Sequence, residues 1–204
     1  MKTLTALTLP ALLCCLAAPV AAQSAGDYTI GLGLGVVAPT SGNGVLAGSE
    51  ADVDNNVQPT LTFEYFIRDN LGIEVLAATP FKHSVSTADL GEVATTKHLP
   101  PTISLNYHFD TGSAWKPFVG LGVNYTAFFE EKGVGALAGT SVKIDDSWGL
   151  AATLGLDYAL SDRTALRSEV RWMDIDADVT VDGASVGTAE IDPIVAGVSY
   201  IIKF

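Results

Sequence analysis

From Tyr28 onward, apolar residues alternate with small or polar ones. In residues 28–38 one set is Tyr28, Ile30, Leu32, Leu34, Val36 and Ala38, and the other begins Thr29, Gly31, Gly33 and Gly35. Residues 58–67 set Leu61, Phe63, Tyr65 and Ile67 against Thr60, Thr62 and Glu64. The pattern recurs at 71–79, 99–109, 117–129 and 148–160. It weakens over 164–173, where Leu166, Val170 and Trp172 oppose Arg167, Glu169 and Arg171, and it returns at 194–204. A period of two is the mark of a strand whose faces meet different surroundings. The reading gives eight strands, each near or above the roughly 9–11 residues that a tilted membrane strand needs. No run has helical periodicity.

The connections set the topology. Short links at 68–70, 110–116 and 161–163 alternate with long links at 39–56, 81–96, 130–146 and 176–190. All the short turns then fall at one end with both termini, and the long loops at the other, as in outer-membrane barrels. A soluble lipocalin has no reason to sort its loops this way. Aromatics sort too. Tyr28, Tyr65, Tyr107, Phe109, Trp115, Tyr158, Tyr200 and Phe204 belong to the short-turn end, and Phe81, Phe128, Phe129, Trp148 and Trp172 to the other. Two such belts match interfacial girdles. The expected fold is all-β: an eight-stranded antiparallel transmembrane barrel in the bacterial outer membrane, among lipid and lipopolysaccharide. Tyr200, Ile202 and Phe204 share the outward face of the last strand. Bacterial outer-membrane barrels commonly end on such a Phe, which the barrel-assembly machinery reads, so these three are the expected assembly signal.

Mean hydropathy is +0.33, yet no stretch after residue 22 could be a transmembrane helix. Met1-Lys2, the apolar run from Leu4 to Leu16 and the small residues ending at Ala22 read as a signal peptide, residues 1–22, leaving one barrel domain over 23–204. Cys14 and Cys15 lie inside the leader, so the expected mature chain carries no disulfide and no cysteine site. The formal charge of −12 argues against nucleic acid as a partner.

Strand parity turns Glu64, Glu74, Asp157, Arg167, Glu169 and Arg171 into the lumen, with His108 nearby. An eight-stranded barrel has an interior about wide enough for side chains to fill, and charges there must pair or stay wet. Two readings are open: a salt-bridge plug that rigidifies the barrel, or a gate that opens on ligand entry. A plugged floor favours a sideways exit between strands. Pro59, Pro80, Pro100, Pro101 and Pro117 each lack a ladder donor, and so mark either strand ends or gaps in the wall. His83-Ser84 does not make a hydrolase, because neighbours on a strand point to opposite sides and no acid orients the pair. Asp174, Asp176 and Asp178 have calcium-like spacing but lack the glycine and glutamate of a calcium loop. No catalytic, cofactor or metal site is expected.

Several segments resemble the outer membrane protein W (OmpW) family. They are Asn56-Val57-Gln58-Pro59-Thr60-Leu61-Thr62-Phe63-Glu64-Tyr65, Gly72-Ile73-Glu74-Val75, Lys97-His98-Leu99-Pro100-Pro101-Thr102, Asp146-Ser147-Trp148-Gly149, Val170-Arg171-Trp172-Met173-Asp174 and Ile191-Asp192-Pro193. They come in the family's order and span nearly all of the chain after the leader. The resemblance implies a narrow, largely apolar channel that passes small hydrophobic solutes inward, as in the related AlkL uptake porins. It also leaves open a non-transporting surface or stress-response barrel that acts through its external loops, as a bacteriocin or phage receptor or in host contact.

Overall fold

Paired edge to edge, the alternating runs make a closed antiparallel wall. The computed structural model describes residues 23–40 and 42–204. The expected signal peptide, with Cys14 and Cys15, lies outside the described residues. In chain order the strands are β1 (Tyr28–Ala38), β2 (Val45–Leu46), β3 (Ser49–Val53), β4 (Asn56–Arg68), β5 (Leu71–Ala78), β6 (Phe81–Thr87), β7 (Gly91–Leu99) and β8 (Thr102–His108). Then follow β9 (Trp115–Gly133), a 3-10 turn (Gly135–Leu137), β10 (Val142–Ile144), β11 (Ser147–Ser161), β12 (Thr164–Met173), β13 (Asp176–Val181), β14 (Ala184–Glu190) and β15 (Ile194–Lys203). Eight of them, β1, β4, β5, β8, β9, β11, β12 and β15, pair each with the next. The ring closes where β15 lies on β1, from Thr29 opposite Lys203 to Ala38 opposite Ile194.

The long links are not irregular loops. Most of their length folds into hairpins that carry the wall beyond the membrane: β2 with β3, β6 with β7 and β13 with β14, while β9 runs on to Gly133. Their outward positions are polar because water, not lipid, faces them, and so they lack the apolar alternation that announces the membrane strands. The expected strand 99–109 is also divided. Leu99 ends β7, Pro100 and Pro101 interrupt, and β8 starts at Thr102. Pro80 likewise separates β5 from β6. These three prolines mark strand ends, whereas Pro59 and Pro117 lie within β4 and β9.

The lower aromatic belt faces outward as expected: Tyr28, Tyr65, Tyr107, Phe109, Trp115, Tyr158, Tyr200 and Phe204 are all exposed on the bare protein. Tyr28 stacks on the terminal Phe204 at 5.1 Å, and Trp115 packs on Tyr158 with tilted rings at 4.5 Å. At the upper end Trp148 and Trp172 face out, but Phe81 and Phe128 do not; both are buried in the lumen. The chain turns at Pro80, and odd positions, outward in β5, point inward in β6. Phe128 keeps the inward parity of the even positions of β9.

On the lumen side, glycines stand opposite the bulkiest residues of the neighbouring strand. Gly155 lies across from Phe118, where a Cβ would sit 2.2 Å from the ring, and Gly120 lies across from Asn106 in the same way. The large side chains of a narrow barrel fit because the facing position has none.

Candidate functional site

The six charged residues that parity turns inward, with His108 beside them, meet in one layer of the lower lumen. Arg167 on β12 is the hub. Its Nε and Nη2 donate to the Asp157 carboxylate of β11 at 2.7 and 3.0 Å, Nη1 to Glu74 of β5 at 2.6 Å, and Nη2 to Glu64 of β4 at 3.1 Å. Arg171, one turn of the pleat higher on β12, donates to the other Glu74 oxygen at 2.7 Å. His108 of β8 sits 2.8 Å from Glu64, and Asn106 donates to the same oxygen at 3.2 Å. Glu169 is the marginal member. It lies 3.5 Å from Arg171, and its Oε2 makes no hydrogen bond. Sequence parity placed these residues but could not rank them.

The layer is sealed by rings that sequence reasoning left out. Phe118 lies 4.4 Å beneath the Arg167 guanidinium and stacks on His108 at 4.8 Å, and Phe66 packs on the other side of His108 at 5.4 Å. Arg167, Phe66, Phe118, His108, Glu64 and Glu74 are all essentially inaccessible to solvent. A small cavity of ≈ 50 Å³, lined in part by Gln23, Lys116 and Arg163, lies on the periplasmic side.

Above the layer the lumen changes character. Val37, Leu76, Ala151, Met173, Ile175 and Val195 begin an apolar cluster that continues to the outer rim. There the hairpins enclose a cavity of ≈ 360 Å³ whose walls include Leu46, Val85, Val93, Ile144, Val179 and Val186. Between this mouth and the apolar shaft lies a second space of ≈ 20 Å³, which shares Val85, Ile144 and Ala189 with it and adds His83, His98 and Phe128. Burial among apolar neighbours holds both histidines below the ordinary histidine pKa, His98 at about 3.

The ladder between neighbouring strands is interrupted at this height. The ladder between β5 and β8 runs from Leu71 opposite Tyr107 to Leu76 opposite Thr102, and that between β6 and β7 resumes with Phe81 opposite His98. Among the described residues no ladder pair joins 77–80 to 99–101. The Pro100 and Pro101 carbonyls turn toward β9 instead, where the Asn124 side-chain amide donates to them at 3.1 and 3.3 Å and the Tyr125 amide donates to Pro101 at 3.0 Å.

A closed eight-stranded antiparallel barrel of this kind has known counterparts. The sequence profile of the OmpW family matches residues 24–204. This chain belongs to the OmpW family. Outer membrane protein W of Vibrio cholerae is 40% identical over 201 residues, covering 92% of this chain and 93% of that protein. AlkL of Ectopseudomonas oleovorans is 32% identical over 169 residues, 78% of this chain and 72% of that one. The crystal structure of OprG from Pseudomonas aeruginosa matches with a TM-score of 0.78 at 38% identity, covering 89% of this chain and 97% of that chain. The protein is therefore a bacterial outer-membrane barrel of the OmpW family.

Outside the lumen of this OmpW-family barrel, one acidic group has a spacing compatible with a cation. Asp174 and Asp176 meet Asp192, with one oxygen of each within 4.8 Å of the others. Asp178, the third member of the sequence pattern, instead accepts a hydrogen bond from Thr188. The Asp192 carboxylate is engaged by the Ile175 amide at 3.0 Å. Partial burial and then the neighbouring carboxylates of Asp192 and Asp174 raise the Asp176 pKa. His83 and Ser84 point to opposite sides of β6, His83 inward and buried.

Proposed function

We propose that the barrel takes small apolar molecules from outside the cell, holds them in the apolar upper lumen, and releases them sideways into the membrane. The observation that carries this reading is the ≈ 360 Å³ apolar cavity at the outer mouth, set above an apolar cluster that ends at a buried ionic layer. Apolar burial at about 25 cal/mol per Å² gives such a solute reason to enter. Nothing in the layer below gives it reason to proceed, because crossing would unpair buried ions. The unpaired stretch between residues 77–80 and 99–101 lies above the layer, where a solute leaving sideways need break no ladder bond. The ionic layer acts as a plug in this scheme, and Tyr200, Ile202 and Phe204 form the outward terminal strand face offered to the assembly machinery.

The test is uptake of an apolar solute, by cells or liposomes with and without the protein, alongside an Ala94→Phe variant. Ala94 is buried and lines the mouth cavity, so a phenyl ring there fills it. Faster uptake with the parent protein and loss of that gain in the variant are expected. Equal uptake with and without the protein would refute transport and favour a surface role for the extended hairpins.

A further inference from the structure

His83 and His98 stand where the mouth cavity narrows, and their hydrogen bonding is incomplete. His83 Nδ1 lies 2.6 Å from the backbone carbonyl of Asp54. A carbonyl only accepts, so Nδ1 carries the proton, and in the neutral ring Nε2 is left as a bare acceptor. That Nε2 is buried without a partner, as is Nδ1 of His98. The two rings cannot satisfy one another. They are stacked, with centroids 4.9 Å apart and planes at 26°, while ring N–H bonds and lone pairs lie in the ring planes. Phe81 and Phe128 flank His98 at 5.5 and 5.7 Å and offer it no hydrogen-bonding group. Both histidines are 3% exposed and line the ≈ 20 Å³ space beside the mouth cavity. That volume is enough for one water-sized group.

We propose that this pair is a polar subsite within the apolar route, and that it selects apolar molecules carrying one hydroxyl group over hydrocarbons of the same size. This rests on the uptake reading above and names its preferred substrate class. The hydroxyl donates to His83 Nε2, its oxygen lies against His98, and the apolar body fills the larger cavity among Val85, Val93 and Val186. The low pKa of both rings keeps them neutral, so the site offers an acceptor rather than a charge. A hydrocarbon in the same place leaves Nε2 desolvated and unpaired, which is the costly case for a buried acceptor.

The experiment uses the histidine-selectively 15N-labelled barrel in lipid nanodiscs, with 2-naphthol and the nearly isosteric 2-methylnaphthalene as probes and empty nanodiscs as the blank. The naphthol is expected to bind about tenfold more tightly, as one satisfied buried hydrogen bond implies, and to shift the ring 15N signal of His83 Nε2. His83→Leu should abolish the preference while still binding the methylnaphthalene, which also reports an intact cavity. If the variant binds neither probe, the Nε2 shift in the parent decides the matter. Equal binding of both probes with Nε2 unmoved, or a preference that survives in His83→Leu, overturns the subsite and leaves apolar uptake standing. If neither probe binds above the blank, the uptake reading itself fails.

Discussion

Arg167→Met is the sharpest probe of the ionic layer. Methionine keeps much of the side-chain volume and removes the charge that three carboxylates share. Their fates differ. Glu74 keeps Arg171 at 2.7 Å, and Glu64 keeps His108 at 2.8 Å and Asn106 at 3.2 Å. Asp157 keeps His108, 3.7 Å away, and the attraction of Lys116 opposite it on β9. Removing one partner of a buried pair typically costs ~3–5 kcal/mol, mostly the penalty of the charge left behind. At ~2–4 °C per kcal/mol for a chain of this size, melting should fall by about 6–20 °C. Circular dichroism melts of the purified barrel in detergent, at one fixed scan rate, read this directly. Because Asp157 loses two hydrogen bonds from Arg167 and Glu74 and Glu64 one each, adding Asp157→Asn should recover more of the melting temperature than adding Glu74→Gln. A single variant that melts within about 2 °C of the parent, or a double variant that recovers nothing, would mean that the layer is hydrated and that its buried pairing is not what stabilises the barrel.

Glu169→Gln should lower the melting temperature far less than Glu74→Gln, since Glu169 touches Arg171 only at 3.5 Å; equal losses in matched melts would contradict the ranking. Phe118→Ala removes the ring beneath Arg167 and should raise ion conductance in planar bilayers, whereas unchanged conductance would place the seal elsewhere. His98, with a folded pKa of about 3, should stay neutral at pH 5, where an unfolded histidine is charged. Its depressed pKa therefore costs no stability above about pH 6.5 and about 1.4 kcal/mol per pH unit below that, down to its own titration. Histidine 15N spectra between pH 7 and 4 check this, and a midpoint near 6.5 would show that the ring is wet.

Much of the barrel was legible because lipid imposes a strict period on the strands it touches. Parity alone turned Glu64, Glu74, Asp157, Arg167, Glu169 and Arg171 inward from four separate segments. What it missed lies outside the bilayer or depends on one break. β6, β7, β13 and β14 face water on one side, so their alternation is short and mild, and it reads as loop. Phe81 belongs to the upper belt by its place near a strand end, but beyond Pro80 the inward parity passes to the odd positions and turns the ring into the lumen. His83 drew notice only as the neighbour of Ser84, and His98 only as part of a motif. Nothing in their sequence spacing says that β6 and β7 stack them, because that depends on a register set by the hairpin. The Phe118 seal was equally hidden, since an inward Phe in a membrane strand looks like any other departure from the pattern.

The glycines that face the large lumen residues have a consequence for how the strands find one another. An error of one residue in strand pairing turns every apolar side chain inward and is excluded by lipid. An error of two preserves the inside and the outside, so the bilayer cannot detect it. The notches can. A slide of two residues between β9 and β11 would bring Phe118 against Thr153 or Asp157 in place of Gly155, and a slide in one direction between β8 and β9 would set Asn106 against Phe118 in place of Gly120. The paired notch and knob thus work as a key that discriminates among the misalignments the membrane tolerates. The same side chains that close the lumen decide, as the barrel zips shut, which of several equally greasy cylinders is built.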